Sequence, residues 1–92
     1  MYFTYVLKCT CGKDGRELFY IEYTENLEKR LRDHHLKSVE TTKDFEIIEN
    51  VYYEACLNKT DAIKRENQLK TGFGRGYLKR RLENYLKETM RA

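Results

Sequence analysis

The 92 residues contain no apolar run near the roughly 20 needed for a helix to span a bilayer. The opening Met1-Tyr2-Phe3-Thr4 lacks the basic-then-apolar pattern of a signal peptide. Cysteine is scarce and odd in number: Cys9, Cys11 and Cys56 cannot form a disulfide framework. Cys9-x-Cys11 has no second Cys or His pair at ligand spacing, which argues against a structural zinc site. Glycine is sparse, and three of the five cluster in Thr71-Gly72-Phe73-Gly74-Arg75-Gly76. No Gly-Lys-Ser/Thr follows them, which excludes a phosphate-binding P-loop. Repeats and low-complexity tails are absent. These absences predict a cytoplasmic, reduced chain with structural or incidental thiols, no membrane partner, and a single domain over residues 1–92 with one modest core.

The net charge of +3 is unevenly spread. Residues 1–58 carry eight Lys/Arg against eleven Asp/Glu, whereas residues 59–92 carry ten against four. The basic second part is a candidate footprint for nucleic acid, although solvated faces of amphipathic helices would give the same balance.

Tyr2 to Cys9 is aromatic-rich and weakly alternating, as a strand is. Thr10 to Arg16 holds two glycines and reads as a hairpin connection, and Glu17 to Tyr23 as the antiparallel return. Thr24 and Asn26 are each able to cap a helix, which runs to about Leu36. Lys37 to Asp44 reads as a loop. A third strand is expected over Phe45 to Tyr53, with Phe45, Ile47, Val51 and Tyr53 sharing a face. Asn58 to Asp61 starts a second helix, with Thr60 as the expected cap and Ala62, Ile63, Glu66 and Leu69 inward. The glycine cluster breaks the chain before a closing helix that buries Leu78, Leu82, Tyr85 and Leu86. The expectation is an α+β domain, a three-stranded antiparallel sheet flanked by helices in the order β-β-α-β-α-α.

The most informative stretch is Tyr20 to His34. Leu27 and Leu31 give its helix a buried side, while Arg30 and His34, also four apart, share another. A strand tyrosine ending beside that helix lets one phenol, one guanidinium and one imidazole converge. The set suits a phosphodiester, because Arg presents a planar fork of donors and His holds or moves protons near neutrality. Glu66 adds a carboxylate on an otherwise apolar helix side; buried acids are costly unless paired, here with Arg65, Lys70 or Arg30, or bound to a metal.

Tyr5-Val6-Leu7, Tyr20-Ile21-Glu22, Asn26-Leu27-x-x-Arg30-Leu31-x-x-His34 and Ala62-x-x-x-Glu66 together resemble the GIY-YIG nuclease family. The likeness is greatest to small single-domain members related to the nuclease module of the bacterial excision-repair incision subunit. It spans nearly the whole chain, and the Arg-Leu-x-x-His helix and Ala-x-x-x-Glu are its specific parts. Only the tyrosine of the first triplet survives clearly, and Glu22 stands where the family has glycine.

The resemblance implies a metal-dependent DNA endonuclease with a setting in DNA repair. Tyr5 would be general base towards water, and Tyr20 would hold water or phosphate. Arg30 would bind the scissile phosphate, His34 would orient or relay protons, and Glu66 would hold Mg²⁺ or Mn²⁺. Lys8, Thr42, Lys43 and Arg75 are further candidate contacts to DNA, single- or double-stranded. A phenol is a poor base at its ordinary pKa of about 10, so Tyr5 would need the field of a metal, Arg30 or Lys8. Glu22 is expected on the face of Tyr20, since alternate strand residues share a face. There it is an inhibitory charge or an extra metal ligand. The alternative function is a nucleic-acid-binding domain of nuclease ancestry without catalysis.

Overall fold

The structure, a computed structural model, describes the backbone of residues 1–91 and the side chains through residue 88. Its elements run β1 (Tyr2–Thr10), β2 (Glu17–Thr24), α1 (Leu27–His35), β3 (Ile47–Cys56), α2 (Lys59–Leu69), α3 (Gly72–Arg81) and α4 (Glu83–Arg91). The three strands form one antiparallel sheet in the order β2-β1-β3, flanked by helices: an α+β fold. The expected closing helix is two helices, so the order is β-β-α-β-α-α-α. Among the described residues, no helix is long and apolar enough to cross a membrane.

Central β1 is buried on both faces, and its alternation divides the interior in two. Tyr5, Leu7 and Cys9 pack with Ile48 on the side of α1, against Leu27, Leu31 and Phe45. Val6 faces the other way, into Ile21, Leu69, Leu78 and Leu82. Thr4 fixes α2 on that second side, its buried hydroxyl donating to the Ala62 carbonyl at 2.8 Å.

Local chemistry sets the helix ends. Asn26 caps α1 by accepting from Lys29 N at 3.0 Å, while the Thr24 hydroxyl accepts from Asn26 N in the turn before it. At the far end, Ser38 N donates to Asp33 O and Lys37 N to His34 O, the paired reverse bonds of a Schellman motif. Lys37 takes the left-handed position, φ 61°, that usually falls to glycine. Asn58, not Thr60, caps α2: Asn58 Oδ1 accepts from Thr60 N and Asp61 N, because the helix begins two residues earlier than Thr60 would allow.

The glycine cluster does not break the chain into a loop. Thr71 caps α3, and Gly72, Gly74 and Gly76 lie within its first turns. A Cβ on Gly74 would stand 2.1 Å from the Leu69 carbonyl oxygen, so glycine lets α3 turn back tightly on the end of α2.

The expected face of β3 is also corrected. Ile48 is buried, whereas Ile47 and Tyr53 are largely exposed. Tyr52 pairs with Val6 but Asn50 pairs with Leu7, leaving Val51 as a bulge that shifts the alternation by one residue. With its amide oriented to satisfy both groups, Asn50 donates to the Val6 and Tyr52 carbonyls beside that bulge, 3.2 Å each.

Candidate active site

Strand pairing and the capped start of α1 bring five side chains together on one face of the sheet. Tyr5 lies opposite Glu22 in the β1–β2 ladder, Tyr20 precedes Glu22 by two, and α1 supplies Arg30 and His34. Glu22 is the hub. Its Oε1 accepts from Tyr5 OH at 2.8 Å and from Arg30 Nε at 2.7 Å, and its Oε2 accepts from Tyr20 OH at 2.5 Å. Glu22 therefore does share the face of Tyr20. The rings of Tyr5, Tyr20 and His34 pack edgewise around this point, with centroids 5.2 to 6.5 Å apart.

The hydrogen bonds define a direction. His34 is fully buried, with Nε2 2.8 Å from Tyr5 OH and Nδ1 2.7 Å from the buried Thr42 hydroxyl. The single phenolic proton of Tyr5 goes to Glu22, so the Tyr5 oxygen accepts from His34 Nε2–H. Neutral His34 then accepts at Nδ1 from the Thr42 hydroxyl. The relay runs Thr42 to His34 to Tyr5 to Glu22.

The titration of each group follows from this arrangement. Burial, and then the Glu22 carboxylate, push the Tyr5 phenol far above its ordinary value. Burial and Glu22 raise Tyr20 in the same direction. Burial works against ionisation of Glu22, but the hydrogen bonds from Arg30, Tyr20 and Tyr5 outweigh it and hold the carboxyl below the usual range. Burial, and then the Arg30 charge, hold His34 below its ordinary value, so it is neutral at pH 7. With Glu22 in place, Tyr5 is a proton donor held in its neutral form.

Glu66 approaches the outer edge of β2 from α2. Its Oε1 accepts from the Tyr23 amide at 2.7 Å, and its Oε2 pairs with Lys70 at 3.2 Å. Of the three cations considered for it from sequence, Lys70 is the one it meets. A small hard cation keeps several waters and needs only one or two protein carboxylates besides substrate phosphate. Glu66 fits that role: its side chain is 17% exposed and each oxygen keeps a free lone pair. No group of three His, Cys, Asp or Glu among the described residues could enclose a metal ion.

The remaining candidates lie apart from the hub. Lys8 points to the opposite face, 8% exposed, paired with Glu17 at 2.9 Å and lying over the Tyr85 ring. Glu22, Arg30 and Tyr20, not Lys8, are the neighbours that move the Tyr5 pKa most. Thr42 is fully buried and serves His34. Lys43 is on the surface beside Glu40, and Arg75 is exposed on α3 next to the β2 edge. Sequence reasoning missed two relationships, Thr42 as the partner of His34 and Glu22 as the common acceptor for Tyr5, Tyr20 and Arg30.

A family model for the GIY-YIG catalytic domain matches residues 1–92. The chain belongs to the GIY-YIG family. It is similar to UPF0213 protein SH2523 of Staphylococcus haemolyticus (strain JCSC1435), at 34% identity over 71 residues, 76% of this chain and 80% of that protein. No solved structure matches it significantly. GIY-YIG is a nuclease-type family, its nucleases generally depend on a divalent metal, and membership implies nucleic acid as partner.

Proposed function

We propose that this GIY-YIG domain is a phosphodiester-hydrolysing DNA endonuclease whose phosphate position is held by its own Glu22. The observation that carries the reading is the convergence of Tyr5 OH, Tyr20 OH and Arg30 Nε on one anionic group. Two phenols and a guanidinium aimed at a single point form a receptor for an oxyanion, and charge-assisted bonds of this kind are the strong ones. Here the anion received is a carboxylate of the chain itself.

Each residue then has a distinct task toward a phosphodiester. Arg30 neutralises charge on the non-bridging oxygens, and Tyr20 donates to one of them. Tyr5, oriented by His34, donates in the ground state. It becomes a base only where Glu22 no longer occupies its proton and raises its pKa. Thr42 fixes the His34 tautomer. Glu66 would hold a Mg²⁺ or Mn²⁺ ion, whose chemistry is to polarise the phosphate and lower the pKa of a bound water.

A second reading is favoured by the same hub. A tethered carboxylate competes with substrate at high effective concentration, so the domain binds nucleic acid without cutting it. Incubation with labelled single- and double-stranded DNA, with Mg²⁺ or Mn²⁺ and with chelator, separates the two. Metal-dependent nicking supports the endonuclease, and salt-sensitive binding without product supports the binding domain. Neither result in any metal, with no binding at low salt, removes both.

A further inference from the structure

A groove runs along the outer edge of β2, on the opposite side of the sheet from the Glu22 hub. It consists of two adjoining hollows of about 530 Å³ and 250 Å³ that share Glu17, Leu18 and Phe19 as one wall. The other wall is built by α2 and α3. Lys70, Arg75 and Lys79 stand along it, while Leu69 and Leu78 form its apolar floor. Arg75 and Lys79 are exposed and make no ion pair among the described residues. Glu17 is the acid lining the groove, and Lys8 already pairs with it.

The β2 wall has hydrogen-bonding capacity to spare. β2 is an edge strand, and its Tyr23 amide turns outward to Glu66. Alternate residues of an antiparallel strand point their backbone groups the same way. The groups of Glu17, Phe19 and Ile21 therefore face the groove. An aromatic ring, a row of outward amides and spaced cations over an apolar floor are the parts with which proteins hold an unpaired nucleic-acid strand.

We infer that this groove is a track for a single strand of nucleic acid, which it leads along β2 towards Glu66 and Tyr20. The inference rests on the nucleic-acid reading above and adds to it the form of the substrate and the face that binds it. The strand's phosphates lie on Arg75 and Lys79, with Lys70 joining them where the strand reaches Glu66. A duplex presents its phosphates on the outside of a wide rod and cannot enter a cleft with walls on both sides. An extended peptide would also pair with the edge of β2, but it would leave the cations unused.

The test compares the wild-type chain with the double variant Arg75→Ala/Lys79→Ala and the charge-preserving Arg75→Lys/Lys79→Arg, using a 20-nucleotide single strand and the matching duplex over a salt series. Both residues are exposed, so the melting temperature should not change. The expected result is tighter binding of the single strand than of the duplex by wild type. The alanine pair should lose on the order of tenfold, with the salt slope falling by about 0.7 per phosphate contact removed, and the charge-preserving pair should restore binding. Amide shifts at Glu17, Phe19 and Ile21 should accompany the single strand. An Arg75→Ala/Lys79→Ala variant that binds DNA as well as wild type overturns the groove while leaving the nucleic-acid reading intact. Wild type that binds neither form overturns both. A preference for duplex, or the same amide shifts produced by an uncharged β-forming peptide and not by DNA, overturns the single-strand assignment.

Discussion

Glu22 Oε1 lies 2.7 Å from Arg30 Nε and accepts from the Tyr5 hydroxyl as well. Both side chains are about one-third exposed or less, so water screens the pair only in part. Under the proposed function, a carboxylate placed here competes with the anion it resembles.

Replacing it should reverse that competition. Glu22→Gly removes one acceptor from three donors and should destabilise the domain by about 1–3 kcal/mol. Inorganic phosphate should restore much of that loss by binding the vacated donors, raising the melting temperature of the variant but not of wild type. DNA binding should tighten, by roughly a few kcal/mol before screening and less as salt rises. A melting temperature equally indifferent to phosphate in both proteins would refute the view of Glu22 as an internal anion.

Arg30 should be separable from the fold. Its side chain leaves the Leu27/Leu31 packing side, so Arg30→Ala should cost only about 1 kcal/mol, mainly by depriving Glu22 of its cation. In the Glu22→Gly background, the further change should lower cleavage on the order of a hundredfold or more. Thermal melts beside single-turnover cleavage separate these effects, and unfolding of Arg30→Ala would mark a structural role instead.

Stability should fall in two steps as pH drops. The His34 pKa is depressed on folding, so the unfolded chain takes up protons first, and stability is lost as pH falls below about 6.5 towards the folded value. Glu22 is also depressed, so its contribution is present above about 4.3 and is lost as pH falls further. Urea midpoints measured against pH should show both steps. His34→Gln should flatten the upper one alone, and an unchanged upper step would assign it to another group.

Glu66→Gln should keep the fold. The amide carbonyl still accepts from Tyr23 N, and the pair lost with Lys70 is a half-exposed i,i+4 contact worth about 0.5 kcal/mol or less. Metal-dependent cleavage should disappear. A large drop in melting temperature measured in chelator would make the carboxylate a structural anchor for β2.

Much of this arrangement was legible because its determinants are local. Asn26, Leu27 and Leu31 define α1 within a few residues, and the Arg30/His34 spacing places both on one helix side. Strand alternation alone sends Glu22 to the face of Tyr20. The illegible parts depend on contacts distant in sequence. The bulge at Val51 follows from pairing with β1, and it moves Ile48 rather than Ile47 inward. Gly74 belongs inside a helix only because the end of α2 lies against it. The burial that raises the Tyr5 pKa is likewise a product of tertiary packing, whereas the placement of Lys8 on the far side of the sheet follows from strand alternation, three residues on from Tyr5.

Thr42 lies in the connection between α1 and β3, yet it is fully buried and holds Nδ1 of His34. The middle of that connection is held by local backbone bonds: Thr42 N and Lys43 N both donate to Val39 O, and Phe45 N donates to Thr42 O, with Glu46 N donating to Thr10 O where the connection meets β3. Segments held by such bonds open far more often than the whole molecule unfolds. Each opening takes the hydroxyl away from His34, frees the imidazole to exchange tautomers, and breaks the preferred orientation of the Tyr5 proton. Exchange of the Thr42 amide with solvent should therefore report how often the relay loses its alignment.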